Sequence, residues 1–100
     1  MTLGVVFDVS APVEVYDAVH AALLRTGTDV GGLLVHLARQ TADGVQVVEV
    51  WESREHLERG TREVVEPALA DVLRGQAPPV SVMTEFEVRG LVLPRAGIAV

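Results

Sequence analysis

Residues 32–57, GLLVHLARQTADGVQVVEVWESREHL, constrain the fold more than any other stretch of the chain. Two runs of aliphatic and β-branched residues flank an Asp43-Gly44 pair, the composition of a reversal between two strands. The second run closes on Trp51, and Ser53 follows one residue later as an N-cap for a helix. A connecting loop of two or four residues sets odd positions on the first strand against even positions on the second. Leu33, Val35 and Leu37 then share a face with Gln46, Val48 and Val50, and Leu34, His36 and Ala38 share the other with Val47, Glu49 and Trp51. A loop of three or five residues would swap these pairings.

The flanks complete an alternating series. Leu3, Val5, Phe7 and Val9 line one side of a first strand, with Gly4, Val6 and Asp8 on the other. Ser10-Ala11-Pro12 then opens a helix over 13–25 whose apolar face is Val15, Tyr16, Val19, Ala22 and Leu23, with Gly27 as its stop. A second helix begins at Ser53 and carries Leu57, Thr61, Val64, Val65, Ala68, Val72 and Leu73 along one stripe. Pro67 kinks it or splits it in two, because proline has no N–H to give the preceding turn. Gly75 ends it and the QAPP segment at 76–79 is a rigid loop. The last strand, 80–89, turns Val80, Val82, Thr84, Phe86 and Val88 one way and Ser81, Met83, Glu85, Glu87 and Arg89 the other. Residues 90–100 are broken by Pro94 and Gly97 and read as an extension of one domain spanning 1–100, without a further core strand.

The order is thus βαββαβ, an α+β ferredoxin-like arrangement in which a four-stranded antiparallel sheet carries two helices on one face. The purely apolar strand faces are expected beneath those helices. That leaves Val6, Leu34, Val47, Trp51 and Met83 on the bare face, interspersed with Asp8, His36, Glu49 and Glu85. Large apolar side chains on an uncovered sheet call for a partner, and the simplest is a second copy related by a two-fold axis. A homodimer is expected, with His36, Glu49 and Glu85 at its interface or in its lumen.

Composition narrows the chemistry. The net charge is −6 with no basic run, which argues against nucleic acid and against an anionic membrane surface. The absence of cysteine removes disulfides, thiolate nucleophiles and Cys-ligated metals. No signal-peptide pattern opens the chain and no apolar run approaches membrane-spanning length, so a cytoplasmic protein is expected. The Asp17/His20 and Glu52/His56 pairs each offer two ligands where a metal needs three or four, so neither metal nor cofactor is expected. There is no phosphate loop or nucleophile elbow.

The VVEVWESREHLER segment after a hairpin with Asp-Gly at its turn, together with EFEV in the last strand, resembles dimeric α/β-barrel proteins, most nearly the antibiotic-biosynthesis-monooxygenase-like domains. The resemblance implies that two such sheets dimerise into an α/β barrel, with a substrate site in each subunit between sheet and helices. It also implies cofactor-free oxygenation of a small aromatic or quinol as one activity. A haem-degrading branch of that barrel bears a histidine ligand on the second helix, where this chain reads ERGTREVVEPAL, so haem degradation is not expected.

Two sets of side chains are candidates for function. His20 follows Tyr16 by four residues, which stacks them on neighbouring turns. Facing the sheet, they would line a pocket with Trp51, Thr84 and Gln46, and His20 could act as the base that makes a phenolate or enolate, with Tyr16 beside it. The plainer alternative leaves His20 in solvent at the helix edge and Tyr16 as a core aromatic. His36, opposite Glu49 or Trp51, is either a functional acid/base group or half of an interface pair that fixes register. The readings carried forward are a small oxygenase of the resembled family, a non-catalytic homodimer binding a small ligand or another protein, and an isomerase using Glu49 and His36.

Overall fold

The computed structural model describes residues 2–26 and 30–100; the expected helix stop at Gly27 lies outside them. Strand β1 (Leu3–Ser10) leads through helix α1 (Val13–Thr26) to β2 (Leu33–Gln40) and β3 (Val45–Trp51). Helix α2 (Arg54–Gly60), a π-helical turn (Thr61–Val65) and helix α3 (Glu66–Leu73) follow, then β4 (Val80–Glu87). The four strands form one antiparallel sheet in the order β2-β3-β1-β4, the ferredoxin-like topology. The last residues do not join it: β5 (Val92–Leu93) and β6 (Ile98–Ala99) pair with each other across a 3-10 turn. No helix among the described residues is long and apolar enough to cross a membrane.

Local chemistry accounts for the joints. The β2–β3 loop has four residues: Gln40 pairs with Val45, and the Thr41 N–H donates to the Gly44 carbonyl at 2.8 Å. Glycine is needed at 44 because the chain returning from β1 passes close by. A Cβ there would collide with the Val9 carbonyl and come within 3.1 Å of the Ala11 backbone. Ser53 caps α2, its hydroxyl accepting from the His56 N–H at 3.2 Å. Pro67 interrupts the α-helical bonding of the second helix without breaking the rod, since Thr61, Val65 and Glu66 all keep right-handed helical angles. The ring lies in the first turn of α3, and the π turn just before it widens the backbone where an α-helix would set that ring against a carbonyl.

The register overturns the expected facing of three strands. His36 pairs with Glu49 and Leu37 with Val48, as the four-residue loop requires. Across the other edge of β3, however, Val5 pairs with Glu49 and Phe7 with Val47, so the apolar side of β1 joins the side of β3 that carries Glu49 and Trp51. That side lies under the helices. Its core is Val5, Trp51 and Leu57, with Leu3, Phe7, Val30 and Leu33 packed around it. The bare face instead carries Val6, Leu37, Val48, Val80, Val82 and Phe86; of the residues expected on it Val6 and Asp8 remain, and Leu34 falls in the register shift between Leu33 and Val35.

The reason lies in the space Trp51 demands. Its indole is 1% exposed and packs against Gly60, where a Cβ would stand 2.5 Å from the ring. Sheet pairing alone leaves either face free to turn inward. The largest side chain decides, because full burial of a tryptophan exceeds what any of the competing valines returns.

Candidate active site

The helix-covered face of β2 and β3 holds a continuous hydrogen-bonded chain. Glu49, 8% exposed on the central strand β3, receives the Trp51 indole N–H on Oε1 at 3.1 Å. Its Oε2 meets Nδ1 of His36 at 2.7 Å across the β2–β3 pairing. A carboxylate can only accept, so Nδ1 is the donor and the neutral ring presents a bare Nε2. That nitrogen lies 2.6 Å from the Tyr16 hydroxyl, brought down by the first turns of α1. His20 completes the group: its Nδ1 is 3.5 Å from the same hydroxyl, one helical turn further along.

Tyr16, His20 and His36 hold their rings within 15° of parallel, with centroids 5.6–6.1 Å apart. Both helix residues are half-buried, and the His36 side chain is 26% exposed on the edge strand. The Tyr16 phenol is pushed above its ordinary pKa, chiefly by burial and then by the negative charges of Glu49 and Asp17. A neutral hydroxyl held against an imidazole whose far nitrogen is anchored on a carboxylate has the connectivity of an activated triad. Such an arrangement takes a proton from a substrate hydroxyl without placing a lone charge in the interior.

Other expected site residues are distributed differently. Trp51 is on the helix side, but its burial and its bond to Glu49 make it a support for the site with no surface left to line a pocket. Thr84 and Gln46 are on the bare face: Thr84 pairs with Val6, and Gln46 donates to Asp8 at 3.0 Å and accepts from Arg39 at 2.9 Å. Neither lies beneath Tyr16, because β3 and β4 both turn their even-numbered residues away from the helices. His36 and Glu49, expected on the bare face, are the centre of the helix-side group. Glu85 also turns to the helix side, where Arg54 at the start of α2 donates to it at 2.7 Å and lowers its pKa. The position of His20 was open between pocket and solvent; its ring stands in the cluster, half-buried.

No three His, Asp or Glu among the described residues are arranged to hold a metal ion. A groove of about 410 Å3 runs between residues 10–13 at the β1–α1 corner and residues 40–44 of the hairpin loop, and none of the cluster side chains lines it.

No protein-family model and no curated protein matches this chain. Solved structures do. A variant of SnoaB, a cofactor-independent oxygenase from Streptomyces nogalater, superposes with a TM-score of 0.60 at 20% identity over 93% of this chain and 97% of its own. A candidate antibiotic biosynthesis monooxygenase from Chloroflexus aurantiacus reaches 0.64 at 20% identity, covering 92% and 97%. A dimeric ferredoxin-like protein of unknown function from Thermobifida fusca reaches 0.63 at 10% identity, covering 88% and 92%. The chain therefore carries the ferredoxin-like fold of the antibiotic-biosynthesis-monooxygenase-like proteins.

Proposed function

We propose that this protein is a homodimeric, cofactor-independent monooxygenase acting on a small phenol, hydroquinone or anthrone. The observation that carries the reading is the 2.6 Å contact between the Tyr16 hydroxyl and His36 Nε2, with Glu49 behind the imidazole. A substrate hydroxyl donates its proton to the Tyr16 oxygen while Tyr16 passes its own to His36, and the Glu49 carboxylate stabilises the imidazolium. An anthrone enters as its enol, whose hydroxyl is the one deprotonated; the resulting anion gives one electron to O2 and the radical pair combines to a carbon-bound peroxide. The remaining C–H proton passes to the distal peroxide oxygen as the C–H electron pair forms the carbonyl and the O–O bond breaks, and the hydroxide released takes the His36 proton to become water. One CH2 and one O2 yield one C=O and one H2O.

Oxygen uptake by the purified protein on a panel of anthrones and hydroquinones tests this. Uptake is expected, with a loss of about 100-fold or more in His36→Ala and Tyr16→Phe, the usual contribution of a positioned acid/base group. No uptake above these controls on any substrate would remove the oxygenase reading. A non-catalytic binding module would then stand, favoured by the groove of about 410 Å3 lying apart from the cluster. Ligand-dependent melting shifts would locate it.

Self-association is supported by the bare face. Leu37, Val80, Val82 and Phe86 are 62%, 71%, 58% and 38% exposed on one side of the sheet, a patch that isolated domains seldom leave open. One solved neighbour, from Thermobifida fusca, is itself described as dimeric.

A further inference from the structure

We infer that Trp51, seated by Gly60, is a positioning residue that fixes the tautomer of His36 through Glu49. This rests on the reading of Tyr16 and His36 as the working proton-transfer pair. Each Glu49 oxygen has one partner: Oε1 takes the Trp51 indole N–H at 3.1 Å and Oε2 takes His36 Nδ1 at 2.7 Å. With one oxygen anchored to a fully buried indole, the carboxylate plane is set and Oε2 faces the imidazole. His36 Nδ1 must then carry the proton, and Nε2 must be bare toward Tyr16.

Burial and a close backbone neighbour confine the indole. It is 1% exposed, and Gly60 gives its six-membered ring the space that any side chain would take, since a Cβ would stand 2.5 Å from Cη2 and 2.8 Å from Cζ3. Gly60 is the last residue of α2, directly before the π turn, so the helix irregularity and the indole seat adjoin. Among the described residues, the other ionisable groups bonded to or stacked on His36 are Tyr16 and His20 on α1, with Asp17 acting on the Tyr16 phenol. Neither of the two bonds Nδ1, whose partner is Glu49.

The test is 15N NMR of the His36 ring in the unliganded protein, at a pH where the ring is neutral. The native protein is expected to show one tautomer, protonated at Nδ1 with Nε2 bare. Trp51→Phe keeps a ring but loses the N–H, and Gly60→Ala displaces the indole; both are expected to lose the single tautomer and show a mixture. In the Gly60→Ala/Trp51→Phe pair the smaller ring accommodates the new methyl, so the melting temperature should recover relative to Gly60→Ala while the tautomer stays mixed. A single Nδ1–H tautomer persisting in Trp51→Phe, or returning with the melting temperature in the double variant, would overturn the inference. Because the readout needs no substrate, it stands or falls separately from oxygen uptake.

Discussion

Tyr16 is the only tyrosine in the chain, so its ionisation can be followed by ultraviolet absorbance without overlap from other phenols. Burial, Glu49 and Asp17 all favour the neutral form, and the midpoint of the absorbance change is expected above that of an ordinary phenol. The sign for stability follows. The folded state holds the Tyr16 proton more tightly than the unfolded chain does, so the favourable contribution is complete below about pH 10. It is lost as pH rises through the folded value, and alkaline melts should show a Tyr16-dependent fall that Tyr16→Phe lacks. Glu49 makes a different kind of prediction. Glu49→Ala strips the buried Trp51 indole N–H of its acceptor and should cost about 1–3 kcal/mol in denaturant unfolding, the usual desolvation penalty of an orphaned group. Glu49→Gln keeps an acceptor for one partner and should cost less.

Among the elements, the second helix was the most legible in the sequence. Ser53 after a strand-ending Trp51 signals a cap, and the structure shows its hydroxyl accepting from the His56 N–H. Ser53→Ala is expected to lower stability by about 1 kcal/mol, measured as a shift in denaturant midpoint with the slope unchanged. Pro67 likewise announces an interruption. Its form, a π turn over Thr61–Val65, was not legible, because the choice between kink and π turn depends on what the preceding helix must seat. Here Gly60 sits against Trp51 across the β3–α2 joint, a contact that neither the strand period nor the helix period encodes. The hairpin was legible as a turn at Asp43-Gly44, but its loop length was open between even and odd counts, and the four-residue loop selects the pairing of His36 with Glu49 over the alternative with Trp51. Which way that pair faces was not legible. Parity between β1 and β3 is set across the α1 crossover, where no turn length constrains it, and both sides of β3 carry enough valine to pass for a core face. The pocket residues followed that error, placing Thr84 and Gln46 under the helices and His36 outside them.

At the scale of the whole molecule, the correction of facing leaves the case for a dimer standing on different residues. An apolar stripe shows that a face is to be covered without showing by what, and here each face of the sheet has one. The helices cover the side with Trp51. The opposite side offers Val48 on the central strand β3, between Leu37 on β2 and Val6 on β1, with the Arg39–Gln46–Asp8 bonds crossing the same three strands. A second copy laid face to face would bury the valines and bring that ladder against its own counterpart, a contact that favours one register over a sliding set. Val48→Lys tests this. Lysine at the middle of the face puts a charge where a symmetric interface brings two of them together, while leaving the Val5–Trp51–Leu57 core untouched. Sedimentation is expected to show native dimers and variant monomers, with the circular dichroism of the two alike. A native protein that sediments as a monomer would remove the dimer, and a variant that unfolds would mean that Val48 belongs to the core of a single chain. If the variant is a folded monomer, oxygen uptake then decides a further point. The Tyr16–His36–Glu49 chain is complete within one subunit, so the monomer should keep its proton-transfer chemistry and lose only the rigidity that pairing lends the sheet.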